Sequence, residues 1–328
     1  MSDKKKPLIS IITSCWNREK YLKILAYSLK KQTFKNFEWI IGNDGSLDNT
    51  DKLIRSLAKK VNFKIIYINS DVRIGKSKIV NLMLEKISGK YLIECDSDDY
   101  FLPDALEKLI NLTKQIPAHN QNKYIGVCAQ NIDTNGVSQT YKKNIPSDNA
   151  CIKWEELKKK IDGDASILAF SRNFKKKRYL EVDFLITESS LLEEVFKGKF
   201  FILTKNIVKI MDRNATNSVS FGNKMQFTRA SAYCLAKMES KKKFNKKDFI
   251  SKIKTIVHYW RYTLHGDINF QKAIKMFKPI KENYLYCFLI LFSYLIYLID
   301  IFLNKVEKTH ILFEKNKKIA QIKFEILN

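Results

Sequence analysis

Glycine and proline are scarce in this 328-residue chain, at 10 and 5 residues, so few flexible linkers are expected. Its six cysteines, at 15, 95, 128, 151, 234 and 287, form no CxxC pair and have no histidine nearby. That spacing argues against a zinc site or a disulfide framework and points to a reducing cytosol. The opening MSDKKKPLISIITS has a basic stretch, but its apolar run is too short for a signal peptide. The chain has no internal repeat and no RNA- or DNA-binding motif, and few aromatics interleave its basic runs. No specific nucleic-acid partner is therefore expected.

Acidic residues are also in short supply, 34 against 59 lysines and arginines, which leaves a net charge of +25. Residues 1–115 carry 21 basic and 14 acidic side chains and the remainder 38 and 20, so the excess lies mainly in the back two thirds. Such an excess suits an anionic membrane face or a phosphorylated substrate, or reflects a lysine- and asparagine-rich composition alone. Hydrophobic residues make up 45% of the chain, which is globular in class and long enough for one large or two modest domains.

Strand and helix signals alternate through the first third. Leu8–Thr13 reads as a buried strand, and Asn17 is placed to cap a helix with apolar positions Tyr21, Leu22, Leu25 and Leu29. Phe37–Ile41, Lys64–Asn69 and Tyr91–Cys95 read as further strands, with helices over 48–61 and 76–87 between them. This order predicts right-handed βαβ units and a parallel sheet. Tyr124–Asp133, Phe200–Thr204 and Ile207–Met211 read as later strands, and a lysine-dense helical region follows over roughly 224–278.

One segment concentrates charge of a single sign. In Tyr91-Leu92-Ile93-Glu94-Cys95-Asp96-Ser97-Asp98-Asp99, an apolar strand runs into three carboxylates within four residues. Such a cluster repels itself, so it needs a cation or a donor network. A hard divalent ion such as Mg²⁺ or Mn²⁺ fits strand-end carboxylates, and an acidic turn capping the helix near Pro103 is the other reading. Ser14 and Asp44 fall at strand ends too, and in open α/β sheets ligands bind beyond the carboxyl ends of the strands.

With SIITSCWNREKYL, FEWIIGNDGSLDNT and GKYLIECDSDDYFLPDAL in that order, the chain resembles the family 2 glycosyltransferases, strongly over residues 7–115 and weakly to about 220. The resemblance implies a GT-A fold: a Rossmann-like, mostly parallel sheet flanked by helices. It also implies an inverting, metal-dependent transferase that uses a UDP-sugar. Ser14 and Trp16 match positions that contact the base, and Asp44 matches the carboxylate that accepts the uracil N3–H. A core aromatic and a turn aspartate are the plainer readings of Trp16 and Asp44. Asp96-Ser97-Asp98 matches the DXD motif, with Asp98 on the metal, Asp96 on the ribose or on metal-bound water, and Asp99 in support. Lys76 and Lys78, at a helix start, add charge near phosphate.

Glu188, in Thr187-Glu188-Ser189-Ser190, matches the general base, although it also reads as an ordinary helix N-terminal glutamate. Glu193 and Glu194 lie inside the following helix and are poorer candidates. The chain departs from the family in having Ser14-Cys15-Trp16-Asn17 for Pro-Thr-Tyr-Asn, and Asn43 for the first aspartate of Asp-Asp-Gly-Ser.

The expected organisation is a catalytic domain over 1–220, divided into a nucleotide-sugar half (1–115) and an acceptor half (116–220). A basic helical region (221–278), a membrane-associating helix (279–303) and a tail (304–328) follow. Tyr284–Ile299 holds sixteen uncharged, mostly large apolar or aromatic residues, and Asp300 interrupts the run. Its length allows a bilayer span, while its six tyrosines and phenylalanines and flanking lysines also fit an interfacial helix; a buried core helix is the third option. The family resemblance, taken with this basic, apolar tail, implies transfer of a hexose or N-acetylhexosamine to a lipid-linked or membrane glycan at the cytoplasmic face of the inner membrane. An inactive sugar-nucleotide-binding protein of the same fold is the alternative.

Overall fold

The computed structural model describes residues 6–141, 147–161, 163–181, 189–212, 228–238, 244–303 and 320–328. The first half alternates as β1 (Ile9–Cys15), α1 (Glu19–Lys31), β2 (Phe37–Asp44), α2 (Thr50–Ala58), β3 (Lys64–Ser70), α3 (Lys76–Lys86) and β4 (Tyr91–Glu94). There follow β5 (Tyr100–Phe101), α4 (Ala105–Thr113), β6 (Tyr124–Asp133), β7 (Cys151–Lys153), α5 (Trp154–Lys160) and β8 (Ser166–Phe170). Then come α6 (Ser189–Phe196), β9 (Phe200–Met211), α7 (Thr228–Met238), α8 (Phe249–His265), α9 (Phe270–Met276), α10 (Lys278–Glu282), α11 (Leu289–Phe302) and β10 (Ile322–Ile326).

The strands form one sheet in the order β10-β3-β2-β1-β4-β8-β6-β9-β5, with β7 alongside β9. At its centre β3, β2, β1 and β4 are all parallel, as the βαβ reading required. They are apolar on both faces because helices cover both; every residue of β2 is buried. β8 runs antiparallel to β4 and β6 antiparallel to β8, while β9 runs parallel to β6. β9 therefore points the same way as β1–β4, and its C-terminal end reaches the same rim.

The described residues fall into two compact units. One holds 1–181, 191–218 and 314–328, with the sheet; the other holds 182–190 and 219–313, with helices α7–α11. In the second, Tyr259, Trp260, Phe244, Phe277 and Ile280 are buried together as a separate core.

Several expectations are corrected locally. Asn17 does not cap α1. It adopts φ +53, donates its N–H to Ser46 Oγ at 2.9 Å and accepts from Leu47 N at 2.8 Å, tying the loop after β1 to the loop after β2. The two closing strands are one continuous strand, β9, irregular in its register against β6 between Cys128 and Asn131. The end of the tail extends the sheet: β10 pairs antiparallel with β3, and Arg55 grips Glu325 at 2.8 and 2.9 Å.

At the rim opposite the strand C-termini, fully buried Glu38 accepts from Ser10 Oγ (2.6 Å), Ser88 Oγ (2.7 Å) and Lys64 Nζ (2.9 Å). Burial alone would raise its pKa, but these donors outweigh it and hold the carboxyl below its usual 4.5. A depressed carboxyl pKa contributes stability that is complete above the unfolded value and lost as pH falls through the folded one. Glu38→Gln should therefore cost about 2 kcal/mol at neutral pH, because it removes a charged acceptor. It should also flatten the acid limb of the stability–pH curve, as urea unfolding across a pH series will show.

Candidate active site

The base-side wall is built from three loops. At the end of β2, Asp44 is buried and accepts N–H bonds from Ile74 (2.6 Å) and Gly75 (2.9 and 3.1 Å). These bonds draw the loop after β3 across the end of the sheet. Gly45 permits the approach: it sits at φ +66, and a Cβ there would lie 2.3 Å from the Val72 carbonyl carbon. The loop delivers Arg73, whose guanidinium stands 3.7 Å over the Trp16 ring and 3.9 Å from Asp44. Burial pushes the Asp44 pKa up, against the amides of Ile74 and Gly75 and the Arg73 charge. Trp16 is half-buried just past β1 rather than lost in the core, and Ser14 is half-buried beside it on the last turn of the strand.

Asn43, the departure from the family's usual aspartate, is buried. Its amide donates to Tyr67 OH (3.1 Å) and Asn69 Oδ1 (2.8 Å), and its oxygen accepts from Ser46 Oγ. An amide does both jobs where a carboxylate could only accept.

The acidic cluster does not cap a helix; α4 starts later, after Asp104. Each of its three carboxylates instead meets a cation from a different element. Lys76 Nζ, at the first residue of α3, lies 3.0 Å from Asp96, Arg18 of the β1–α1 loop 3.8 Å from Asp98, and Lys209 of β9 2.6 Å from Asp99. Lys76 holds Asp96 down, to about 2, against the opposing effect of burial. Asp98 is shifted upward by burial and by Asp96, with Arg18 only partly countering. Burial would lower the Lys209 pKa, but Asp99 beside it outweighs this and keeps the ammonium charged.

These pairs divide the cluster. Asp99 and Lys209 are both buried, so Asp99 anchors the turn from inside and does not face the rim. The Asp96 and Asp98 side chains remain 48% and 18% exposed. Among the described residues no group of three or more histidine, cysteine or acidic side chains is arranged to hold a metal alone. Two rim carboxylates nevertheless fit Mg²⁺ or Mn²⁺, which typically take one or two protein carboxylates and complete their shell with substrate phosphate and water. Lys78, two residues past Lys76, is carried roughly 200° round α3 and away from this cluster.

Glu188 lies outside the described residues. The chain leading to it is held at 179–181: the Asn81 side chain accepts from Tyr179 N (2.8 Å) and donates to Tyr179 O (3.1 Å) and Glu181 (2.9 Å). Glu193 is engaged by the Trp154 indole (2.6 Å) and Lys158, and Glu194 by Lys177 (2.6 Å), as their position inside α6 foreshadowed. Arg73, Arg18 and Lys209 are site residues that sequence reasoning missed. A lone arginine before Gly75 was the one readable signal among them, since Lys209 lies between Val208 and Ile210 in a strand far along the chain from the acidic motif.

A family model described as Glycosyl transferase family 2 matches residues 10–180. The chain belongs to this family. It is 26% identical over 199 residues, 61% of its length, to the GalNAc(5)-diNAcBac-PP-undecaprenol beta-1,3-glucosyltransferase of Campylobacter jejuni. It is 32% identical over 103 residues, 31% of its length, to the putative teichuronic acid biosynthesis glycosyltransferase TuaG of Bacillus subtilis. The match spans 63% of the first relative and 40% of the second, less than two thirds of either. Among solved structures, S. aureus TarS 1-349 in complex with UDP is similar with a TM-score of 0.54 at 12% identity, covering 93% of this chain and 98% of that one. The same protein in complex with UDP-GlcNAc gives 0.53 at 14% identity, covering 82% and 79%. The sheet and its helices are the GT-A fold that the family motifs implied.

Removing the inner cation tests the division of the cluster. Lys209→Met leaves Asp99 buried without its partner and should cost about 3 kcal/mol of stability. Adding Asp99→Leu should recover most of the loss, and denaturant titration of the single and double variants measures both.

Proposed function

We propose that this family 2 transferase moves a hexose or N-acetylhexosamine from a UDP-sugar to a hydroxyl of a membrane-anchored glycan, inverting the anomeric centre in a single displacement. The observation that carries this reading is the shared rim: Trp16, Asp44 and Arg73 stand together there, and Asp96 and Asp98 face it beyond β4. An acceptor-only carboxylate beside a guanidinium suits the uracil edge, where an N–H is flanked by carbonyls. Trp16 offers the base an aromatic surface.

Asp98 and Asp96 are the residues that would hold Mn²⁺ or Mg²⁺. When bound, the ion supplies Lewis-acid stabilisation to the departing diphosphate. Arg18 and Lys76, already at these carboxylates, add positive charge on the same side. In this reading Glu188 takes the proton of the acceptor hydroxyl as its oxygen attacks the anomeric carbon from the face opposite the diphosphate. The oxygen–carbon bond forms as the bond to UDP breaks, and the anomeric configuration inverts.

The acceptor class is supported by the C. jejuni relative, whose name gives it an undecaprenol-diphosphate-linked glycan. Lipopolysaccharide, capsule precursor and polyprenyl-linked oligosaccharide are the candidates, at the cytoplasmic face of the inner membrane where the apolar helix and the lysine excess fit.

A panel of nucleotide sugars, assayed with Mn²⁺ or Mg²⁺, should show selective turnover or slow hydrolysis of one UDP-sugar. Glu188→Gln should cut transfer by about a thousandfold with UDP affinity kept, and Asp98→Asn should weaken both. A preference for a GDP- or CMP-sugar would sink the uracil assignment, and full activity in either variant would sink the mechanism.

A further inference from the structure

Tyr284–Phe302 is the one helix among the described residues long and apolar enough to cross a membrane. A single crossing would put the chain before it and the chain after it on opposite sides. Yet the residues after it return to the sheet: Ile322 pairs with Ser70, Phe324 with Ile68 and Ile326 with Ile66. The Asn328 side chain reaches the Ala58 carbonyl at 3.0 Å, and Arg55 holds Glu325 by a two-pronged ion pair. Strands cannot hydrogen-bond across a bilayer, so both flanks of the helix lie on one side. A return crossing would have to use 304–319, whose sequence carries seven charged side chains and no apolar run of spanning length.

The helix itself has two kinds of face. One is turned to the protein at seven-residue spacing: Tyr286 O accepts from the Trp260 indole (3.0 Å), Ser293 Oγ donates to Val257 O (3.2 Å), and Asp300 is buried. Asp300 takes Arg261 through two bonds of 2.6 Å, and His265 Nε2 lies 3.0 Å away. The acidic residue that breaks the apolar run is thus the clamp that keeps the helix on α8. The other face exposes Phe288, Leu291, Leu295, Leu298 and Phe302. Just before the helix, Lys272, Lys275, Lys278 and Lys281 are exposed, a basic approach that complements anionic headgroups.

We infer that Tyr284–Phe302 is an in-plane anchor on an anionic bilayer, with Leu291, Leu295, Leu298 and Phe302 among the acyl chains and Asp300 fixing the opposite face to the protein. This deepens the membrane reading above and rests on it only for its purpose. The test uses the full chain, tagged at both termini, on inverted inner-membrane vesicles whose cytoplasmic face is outward. Both tags should be open to added protease; a protected C-terminal tag would mean a span and would overturn the inference. With vesicles of phosphatidylcholine and phosphatidylglycerol, the protein should float with the lipid, and flotation should fall as salt rises. Leu291→Gln, Leu295→Gln and Leu298→Gln together should weaken lipid binding by about a hundredfold. Failure to float, unchanged flotation of the triple variant, or occupation of this face by a second copy in solution would each contradict it. Transfer to a short, water-soluble acceptor should survive in the triple variant, which separates loss of anchoring from failure of the proposed chemistry.

Discussion

Three carboxylates crowd the end of β4, and each is met by a cation brought from elsewhere in the chain. Arg18 comes from the loop after β1, Lys76 from the start of α3 and Lys209 from the C-terminal end of β9. Without them the cluster would repel itself in a partly desolvated rim. Its existence therefore depends on a sheet that brings those elements to one edge. The parallel core supplies two of them, and β9 supplies the third because it runs in the same direction. The tie between the β1 and β2 loops through Asn17, Ser46 and Leu47 sets the chain on which Arg18 and Trp16 stand.

The compensation is uneven, and the unevenness is what makes the cluster usable. Asp99 and Lys209 form a closed internal pair, costly to break and out of reach of a ligand. Asp96 is matched by a lysine that also lies 3.8 Å from Glu94. Asp98 has the longest contact of the three and a pKa shifted upward by burial and by Asp96, so of the two rim carboxylates it gains more from a further positive charge. One residue holds the turn and the other two face the rim. The second unit repeats the device in another setting: Asp300, alone in an apolar helix, is satisfied by Arg261 and His265 and becomes a fastening point.

Much of this was readable in the residues. The central strands are charge-poor runs of the right length with helical periodicity between them, and tertiary structure had no reason to override so consistent a pattern. The acidic motif and Asp44 were visible because each sits at a strand end, and Trp16 because it matches a family position that contacts the base. What escaped were partners fixed by long-range register. Lys209 meets Asp99 only because Lys209 pairs with Phe101 across β5 and β9. Asn17 looks like a helix cap locally, but its left-handed backbone and its bonds to the β2 loop depend on a neighbour about thirty residues away. Tail strand β10 is short and partly charged, and its pairing with β3 has no local signal. The inferred in-plane anchor rests on that pairing.

The central claim is that Asp98 and Asp96 supply only part of a metal shell and that the donor's diphosphate completes it. Calorimetric titration of Mn²⁺ into the protein, with and without UDP, tests this most directly. Binding should be weak alone, much tighter with UDP present, and lost in Asp98→Asn under both conditions. Tight Mn²⁺ binding without nucleotide that persists in Asp98→Asn, or UDP binding indifferent to the ion, would contradict it.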